Sequence, residues 1–321
     1  MQSLRLLIPL RLAPDPILDT ARRAAPSLLT MIRRGTARED ESSQAGICCA
    51  ALGLKKQSDW PVAPLTARLD GLPSETGYWL RADPINLETG MGGLLLHPTQ
   101  TLALTREETG QLLRDLNALW REAKLELLAP HPERWHLRLP APPVLSTTPV
   151  DRVAGEYVTH HLPHGGDAGR LLRLVNEAQM LMHDHPVNQA REQRGLPVVN
   201  SIWLWGGGAL PQETTRKLRV ATDDAELRAL AQATGQPWVP CPALWPDLAR
   251  TIEEEQTLLS LSPGPDDTSL ADFLQRLERD WLKPILNDLR LGRLRHVRVD
   301  LPGQPGRCAD VGTLAAWRLW R

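Results

Sequence analysis

The sequence predicts an α/β protein in which a layered, mostly parallel sheet is interrupted by a separate α+β block. Three observations lead to this prediction. The 321 residues exceed what a single hydrophobic core usually encloses. Strand-like and helix-like segments alternate after residue 208, as they do in parallel αβα sheets. Between residues 76 and 199, strands of hairpin type come first and amphipathic helices lie between them, which is typical of an antiparallel α+β unit.

The segments before this block predict a strand, two helices and a connector. The apolar run 4–12 predicts a first strand, and 15–34 predicts a helix that Pro26 kinks or splits. Small residues in 42–54 predict a turn that leads into a second helix. The stretch 57–73 is rich in proline and aspartate, so we expect a connector there.

The middle block opens with two strand-like runs in 78–96, separated by a turn that contains glycine, and they predict a hairpin. Thr105 and Glu108 form a capping-box pattern that opens a helix reaching about Glu122. The run 134–139 alternates basic and apolar residues and predicts a strand. A further helix is expected to begin at Asp167 and to finish near Met182.

The next stretch predicts a short helix followed by a buried strand. Pro186 suits a first helical position because its missing N–H is not needed there, and Gly195 ends the helix. The apolar, β-branched and aromatic run 198–205 fits a strand buried on both faces. The three glycines 206–208 then let the backbone turn or approach a neighbour closely.

Four hydrogen-bond donors on or beside this short helix suggest an anion site. Asn188, Arg191 and Arg194 follow at three-residue steps, and His185 stands just before the helix. Arginine is suited to two-pronged contacts with phosphate or carboxylate. The alternative is that the arginines form a solvated helix face and His185 caps the helix.

After the glycines, the predicted elements alternate between strand and helix. They are a strand in 218–222, helices in 224–234 and 247–259, a long helix in 270–291 that Pro284 kinks, and an edge or amphipathic strand in 294–301. This order predicts a mostly parallel sheet covered by helices.

Composition excludes several classes of function. The 37 basic and 38 acidic residues give no global field for nucleic acid or an anionic membrane. The four cysteines lack the spacing of metal ligands, so we expect no metal site and a reducing compartment. Arg5 and Arg11 break the N-terminal apolar run, and no run reaches the ~20 residues that span a bilayer. We therefore expect a soluble, cytoplasmic protein.

Two motifs resemble a known family. The segment HPVN at 185–188, followed by Arg191, Asn200 and the run IWLWGGG at 202–208, resembles a segment of the cofactor-independent phosphoglycerate mutases of archaeal type. Those enzymes carry a similar HPVN, an arginine, an asparagine and an IWLWG run with glycines. Arg81 in WLRADP resembles the arginine of the family's FRCN strand. The likeness is good over 76–208 and poor outside.

The resemblance implies a reduced alkaline-phosphatase-like αβα core interrupted by an inserted α+β domain. Residues 1–75 and 200–321 would form the shortened phosphatase-like core, and 76–199 the inserted substrate-binding-like domain, which clamps phosphoglycerate in the family. The ligand-binding residues carried over by the resemblance are Arg81, His185, Asn188, Arg191 and Asn200.

The departures from the family affect its chemistry. The family holds two divalent metals, usually manganese, by an N-terminal Asp-Gly and late Asp and His residues, beside a serine nucleophile. Here Leu10-Arg11 stands near the Asp-Gly position, and the late strand ends Asp300-Leu301. Ser42 and Ser43 fall near the nucleophile. We therefore predict no catalytic residues, no metal and no cofactor, with manganese required only if the protein is active.

The pattern of a mutase-like binding domain with an eroded core also resembles bacterial proteins described as regulators of pathogenicity factors. We predict a catalytically degenerate, regulatory or ligand-binding protein for a phosphorylated or carboxylated small molecule. One alternative is an active 2,3-bisphosphoglycerate-independent phosphoglycerate mutase, an isomerase, with relocated metal ligands. Another is a protein-interaction module with a tryptophan-rich surface. We expect a phosphorylated small molecule or a protein as partner, and neither nucleic acid nor membrane.

Overall fold

A computed structural model describes residues 2–10, 14–40, 43–211, 216–251, 256–264, 266–303 and 306–317. The chain forms two compact units. Met1–Gly53 with Thr214–Arg321 is called the flanking unit below, and Leu54–Glu213 the middle unit. The middle unit extends beyond the predicted block 76–199 at both ends, because a helix in 62–69 and a strand in 201–208 pack within it.

Strands and helices follow one another along both units. In chain order, the strands are β1 (Gln2–Leu7), β2 (Thr36–Asp40), β3 (Tyr78–Gly90), β4 (Gly93–His97), β5 (Glu126–His131), β6 (Arg134–Leu139), β7 (Ser201–Gly208), β8 (Arg219–Ala221), β9 (Trp238–Val239), β10 (Gln256–Ser260), β11 (Leu294–Leu301) and β12 (Gly306–Gly312). The α-helices are α1 (Pro14–Ala24), α2 (Pro26–Arg34), α3 (Gln44–Ala51), α4 (Val62–Leu69), α5 (Arg106–Leu119), α6 (Val150–Val153), α7 (Ala168–His183), α8 (Pro186–Gln193), α9 (Ala225–Ala233), α10 (Trp245–Ala249), α11 (Leu270–Leu277) and α12 (Lys283–Arg290).

The flanking unit contains a sheet in the order β2-β12-β11-β1-β10-β8-β9. The strands from β11 to β9 run parallel to one another, and β12 and β2 add antiparallel pairs at one edge. Parallel neighbours need long crossover connections, which are usually helical. The predicted alternation of strands and helices supplies them, as α9 does between β8 and β9.

The core of the flanking unit covers both faces of this sheet. Leu4 and Leu6 of β1 pack into one cluster with apolar residues of α1, α2, α11 and α12. Leu7 and Leu258, on the opposite face, are also buried and lie outside that cluster. Strands buried on both faces are typical of parallel sheets in α/β proteins. The predicted fold class, an α/β core interrupted by an α+β domain, is therefore confirmed.

Two strands of this sheet differ from the prediction. The segment 247–259, predicted as a helix, is helical only as far as Ala249, and Gln256–Ser260 is a strand between β1 and β8. Burial on both faces of the sheet outweighs its helix-like spacing. The segment 294–301 is an inner strand between β1 and β12 rather than an edge. The acidic residues 253–255 lie outside the described residues.

The predicted long helix 270–291 is present, but its irregularity begins before the proline. Glu278–Leu282 forms a π-helical segment between α11 and α12. Pro284 cannot donate a hydrogen bond to Asp280, and its ring would clash with that carbonyl in a regular α-helix. A wider turn at this place relieves the clash, which is a recognised cause of helix irregularity.

The middle unit contains an antiparallel sheet in the order β4-β3-β6-β5, and β7 also pairs with β3. The long strand β3 pairs with β6 over residues 78–81, with β7 between residues 79 and 85, and with β4 over residues 86–90. The predicted hairpin in 78–96 is confirmed as β3 and β4. The predicted capping box is confirmed as well, because Thr105 and Glu108 make both reciprocal hydrogen bonds at the start of α5.

Helices cover both faces of the middle sheet. On one face, apolar residues of α5, α7 and α8 pack against Leu80, Ala82 and their neighbours. On the other face, Ala63 and Ala67 of α4 pack against Trp79. The segment 57–73, predicted as a connector, therefore contains a helix. Its Pro64 is tolerated because it stands in the first helical turn.

The glycines at the end of β7 belong to the strand and allow a close approach. A Cβ atom on Gly208 would lie 2.8 Å from Cβ of Pro61, just before α4.

A rigid proline cannot move aside, so we expect Gly208→Ala to destabilise the protein by about 1–3 kcal/mol. Gly110→Ala is the control, because it adds a Cβ that meets nothing within 4 Å in a helix interior. It should stabilise by roughly 0.5–1 kcal/mol. Chemical unfolding of both variants checks this, and equal midpoints would contradict it.

None of the helices in the described part of the chain combines the length and the apolar character that crossing a membrane requires.

Candidate functional site

One face of the middle sheet carries charged and indole side chains in register. On β3, Leu80 and Ala82 belong to the apolar core, so Trp79, Arg81 and Asp83 lie on the opposite face. β6 and β7 follow the same alternation. The residues of this surface, called the polar face below, are Trp79, Arg81, Asp83, Arg134, His136, Arg138, Trp203 and Trp205.

At the centre of the polar face, Arg81 forms a buried ion pair with Asp83. Its Nε and Nη2 atoms donate to Asp83 Oδ1 at 3.0 and 2.9 Å, and Nη2 also donates to Oδ2 at 3.0 Å. Trp205 pairs with Arg81 across the sheet. Its Nε1 donates to Asp83 Oδ2 at 2.7 Å, and its ring lies under the guanidinium at 5.1 Å. A cation and a carboxylate buried together need such additional contacts to offset desolvation.

A second charged cluster lies beside it. Asp70, at the C-terminal end of α4, accepts from Arg134 Nε at 2.7 Å and contacts His136 Nε2 at 2.9 Å. Arg134 Nη2 donates to the second oxygen of Asp70. Burial by itself would raise the pKa of Asp70, but the hydrogen bonds from Arg134 and His136 outweigh it and lower the pKa to about 2. Asp70 is therefore a carboxylate at neutral pH.

His136 is fully buried and neutral. Burial is the largest cause that lowers its pKa, to about 4. The hydrogen bond with Asp70 and the charge of Asp70 raise the pKa, whereas the charges of Arg81 and Arg134 lower it further. A neutral imidazole facing a carboxylate carries its proton on Nε2, so Nδ1 is an acceptor. No described residue donates to this buried Nδ1 atom. The polar face therefore offers one unused acceptor beside three arginines.

The sequence patterns indicated Arg81 but not Asp70, Asp83, Arg134 or His136. The signal for two of them was present, because the run 134–139 alternates polar and apolar residues. That alternation places Arg134 and His136 together on one face of a strand. Nothing in the local sequence pairs them with Asp70.

His185 and Asn188, two of the predicted ligand residues, hold α8 in place. His185 caps the helix: its Nδ1 accepts from the Val187 N–H at 3.1 Å, and its Nε2 lies 3.1 Å from Asp115 Oδ2. The buried Asn188 amide donates to the carbonyl of Met182 at 2.7 Å and to that of Val199 at 2.8 Å. The Val199 N–H donates back to its oxygen at 2.9 Å.

Arg191 is completely buried among acceptors of the protein itself. Its Nε donates to the Pro197 carbonyl at 2.7 Å, its Nη1 donates to Glu108 Oε2 at 3.0 Å, and its Nη2 donates to the Leu102 carbonyl. Arg194 Nη2 donates to the other oxygen of Glu108 at 2.6 Å. Burial would raise the pKa of Glu108, but the Thr105 N–H and the two arginines together lower it.

Asn200, the residue just before β7, is hydrogen-bonded to β3. Its Oδ1 accepts from the Leu87 N–H at 2.7 Å, and its Nδ2 donates to the Leu87 carbonyl at 2.8 Å. The structure gathers Asn188 and Arg191 on α8 and His185 at its start, on the side of the sheet that carries the apolar core. Arg81 lies on the polar face. The five predicted ligand residues therefore do not form one cluster, and a ligand contact by each of them stays a prediction.

The flanking unit shows what stands near the expected metal ligands. Asp300 is almost fully buried, and two guanidiniums hold it. Arg5 Nε donates to Oδ2 at 2.7 Å, and Arg298 Nε donates to Oδ1 at 2.9 Å. Two permanent cations at these distances repel a divalent metal from this carboxylate. The donor set around Asp300 therefore does not fit the manganese pair of the resemblance.

The other expected positions of the metal centre give a similar result. Ser43 caps α3, because its buried Oγ accepts from the Gly46 N–H at 3.0 Å. Leu10 is a buried aliphatic residue, and Arg11 and Ser42 lie outside the described residues. Within residues 2–10, 14–40, 43–211, 216–251, 256–264, 266–303 and 306–317, no three His, Cys, Asp or Glu side chains are grouped to hold a metal ion.

Comparison with known sequences gives local matches. No protein-family model matches the chain. A segment of 64 residues, 20% of the chain, is 42% identical to the 2,3-bisphosphoglycerate-independent phosphoglycerate mutase of Methanothrix thermoacetophila and covers 16% of it. A segment of 68 residues, 21% of the chain, is 37% identical to the probable enzyme of the same name from Geobacter sulfurreducens and covers 17% of it. The chain thus matches about a sixth of the length of these curated relatives.

Comparison with solved structures extends over 97% of the chain. The PH0037 protein from Pyrococcus horikoshii aligns with a TM-score of 0.51 at 12% identity, covering 97% of this chain and 87% of that one. A cofactor-independent phosphoglycerate mutase from Thermoplasma acidophilum aligns with a TM-score of 0.44 at 13% identity, covering 97% and 90%. The PH0037 alignment shows a shared fold. In fold, the chain is an α/β protein with an interrupting sheet domain. In sequence, it is phosphoglycerate-mutase-like over the matched segment.

Proposed function

We propose that this chain is a catalytically degenerate, phosphoglycerate-mutase-like protein that binds a phosphorylated or carboxylated small molecule in a regulatory role. The observation that carries the proposal is the state of Asp300. The resemblance expects a pair of metal ligands at this strand end, whereas Arg5 and Arg298 occupy both carboxylate oxygens. A two-metal phosphoryl transfer needs carboxylates that are available to the metals, because the metals clamp the attacking and leaving oxygens.

The ligand-binding part of the proposal rests on the polar face. Arg81, Arg134 and Arg138 lie there side by side with tryptophans, and arginine forks suit phosphate and carboxylate groups. The proposal assigns ligand contact to Arg81, whose present partner is itself a carboxylate. A ligand carboxylate or phosphate can replace Asp83 on the same fork. His185, Asn188, Arg191 and Asn200 then support the strands from the other side.

The catalytic half is tested by assay. The purified full chain, loaded with Mn²⁺, is incubated with 3-phosphoglycerate, and the formation of 2-phosphoglycerate is followed by a coupled assay. We expect no turnover above the protein-free blank. Metal-dependent turnover that scales with protein concentration would overturn the proposal in favour of an active mutase.

The binding half is tested by calorimetry with 3-phosphoglycerate. We expect saturable binding that Arg81→Gln weakens roughly ten- to hundredfold, because a hydrogen bond to a charged group contributes about 1.5–3 kcal/mol. Arg121→Gln removes an exposed arginine of the same unit and should leave the affinity within twofold. Arg81→Lys keeps the charge and shows whether a loss reflects misfolding. Absence of binding by the wild-type chain, or equal affinities for all variants, would contradict the proposal.

A further inference from the structure

The central side chains of the polar face are covered, although the proposed function needs a ligand to reach them. Arg81, Asp83 and Trp203 keep only 4%, 3% and 5% of their surface exposed. The inference below rests on the proposed function, in which a ligand group pairs with Arg81. A buried guanidinium meets a ligand only after part of its cover has moved aside. The contacts that hold the cover therefore decide where a ligand enters.

One part of the cover, α4, is held by close apolar packing. Ala63 and Ala67 pack against Trp79. At the start of the helix, a Cβ atom on Gly206 would lie only 3.2 Å from Cβ of Val62. Moving α4 would break this packing along much of the helix, at the cost of exposing apolar surface to water.

A second part of the cover is formed by residues 146–149, called the strap below. The indole Nε1 of Trp203 donates to the Thr148 carbonyl at 2.8 Å. Trp203 is the direct partner of Asp83 across the sheet. The strap therefore lies over the part of the polar face where Asp83 holds the guanidinium of Arg81.

Polar contacts hold the strap. The Thr147 N–H donates to Asp59 Oδ1 at 3.0 Å, and the Thr147 hydroxyl donates to Oδ2. The Ser146 hydroxyl lies 3.5 Å from Oδ1. The four residues of the strap are half-buried, whereas Leu145 before them and Val153 after them are buried. Segments with few buried apolar contacts open more readily than packed helices, so the strap should open before α4 does.

A buried hydroxyl beside Asp59 offers this carboxylate a second donor. The Tyr78 hydroxyl is buried and has no hydrogen-bond partner in the part of the chain that the structure describes. Burial, followed by the charge of Asp59, raises the pKa of Tyr78 to about 12, so the hydroxyl lies within the field of this carboxylate and keeps its proton. A buried carboxylate that loses its donors is costly. A replacement donor lowers the cost of releasing the strap.

We propose that the strap is a lid, which must leave Asp59 before a phosphate or carboxylate ligand reaches Arg81, and that Tyr78 donates to Asp59 while the lid is open. Lids of this kind shield a site from water and limit the rate of entry. Only molecules with an open lid accept the ligand, so the association rate constant rises with the open fraction. Weakening the bond between Thr147 and Asp59 should therefore speed up entry.

Hydrogen exchange of the indole N–H groups, measured by NMR on the ligand-free full chain, tests the lid itself. The Trp203 indole reports on the strap, and the Trp79 indole, which donates to the Thr76 carbonyl, reports on a part of the polar face away from it. Thr147→Val removes the hydroxyl and keeps the shape and the backbone N–H. It should accelerate exchange at Trp203 roughly tenfold or more and leave Trp79 within twofold.

Two further variants complete this measurement. Tyr78→Phe removes the replacement donor, so the lid should open less often and the Trp203 indole should exchange several-fold more slowly. Thr159→Val is the matched control, because it makes the same substitution at an exposed threonine of the same unit. It should leave the exchange of both indoles within twofold of the wild type.

Stopped-flow tryptophan fluorescence with 3-phosphoglycerate tests the role of the lid in entry. Thr147→Val should raise the association rate constant roughly tenfold, in proportion to its effect on Trp203 exchange, and Thr159→Val should leave it within twofold. An unchanged association rate in Thr147→Val, despite faster exchange at Trp203, would mean that the ligand does not enter beneath the strap and would overturn the proposal.

The exchange data separate this inference from the proposed function. Equal exchange at Trp203 in the wild type and Thr147→Val, or equal acceleration at Trp79, would overturn the lid. Unchanged exchange in Tyr78→Phe would overturn the part assigned to Tyr78. If the wild-type chain binds no 3-phosphoglycerate, the proposed function fails, whereas faster exchange at Trp203 alone in Thr147→Val still supports a strap that opens by itself.

Discussion

Replacing Arg191 by alanine is expected to lower the free energy of unfolding by about 3–5 kcal/mol, because it removes one partner of a buried ion pair. The side chain is fully buried, and its guanidinium donates to Glu108 and to the carbonyls of Pro197 and Leu102. Glu108 also belongs to the capping box of α5. The alanine variant would therefore leave the carbonyls of Pro197 and Leu102 without this donor and would remove one of the two arginines that pair with Glu108, at the place where α8 meets α5.

Arg194→Ala is the matched control for this prediction. Arg194 stands on the same helix end and donates to the same carboxylate of Glu108 at 2.6 Å, but half of its side chain is exposed. Exposed ion pairs contribute about 0–1 kcal/mol, so Arg194→Ala should lower the free energy of unfolding by less than about 1 kcal/mol. Guanidinium chloride unfolding, followed by tryptophan fluorescence, measures both variants. If Arg191→Ala unfolds like the wild type and loses 3-phosphoglycerate binding, Arg191 is a ligand residue and the structural role is wrong.

Features that depend on local chemistry could be predicted from the sequence. The reciprocal bonds of Thr105 and Glu108 need residues only three positions apart, so the capping box was visible. The hairpin of β3 and β4 depends on a short turn between two apolar runs. The break between α1 and α2 follows directly from Pro26. In each case the determining contact lies within one or two turns of chain.

Features that depend on distant contacts could not be predicted in this way. From its spacing, Arg191 was predicted as one donor of an anion site. In the structure its guanidinium donates to Glu108, which lies 83 residues earlier in the chain. Asp70 meets His136 across 66 residues. The helix-like spacing of the segment 256–260 is overridden because β1 and β8 pair with it on its two sides and most of its residues are buried. Sequence spacing carries no information about such partners, since the fold alone brings them together.

The grouping of arginines in the structure shows the same limit. The resemblance points to one short stretch, and the structure divides the predicted residues between the two sides of a sheet. No motif connects Arg5, Arg216 and Arg298, yet they share a cavity. A cluster of like charges is evidence for a ligand only when the strands that carry it are known to be neighbours.

The second large effect is expected from pH and concerns His136. Burial lowers the pKa of this side chain from 6.5 to about 4 in the folded protein. The unfolded chain binds a proton near pH 6.5, whereas the folded chain does not bind it until about pH 4. The stability from the neutral, buried imidazole is therefore fully present above pH 6.5 and is lost as the pH falls to 4. The loss amounts to about 3 kcal/mol, since each pKa unit corresponds to about 1.4 kcal/mol.

His136→Gln isolates this contribution, because glutamine can still donate to Asp70 but does not titrate. At pH 7 the variant should be less stable than the wild type, and the difference should shrink by about 3 kcal/mol between pH 7 and pH 4. The stability linked to Asp70, whose pKa falls from 3.8 to about 2, is lost only below pH 3.8 and does not interfere. His131→Gln, at an exposed position, should show no such change. A difference between wild type and His136→Gln that stays constant from pH 7 to pH 4 would mean that folding does not lower the pKa of His136, and it would contradict the prediction.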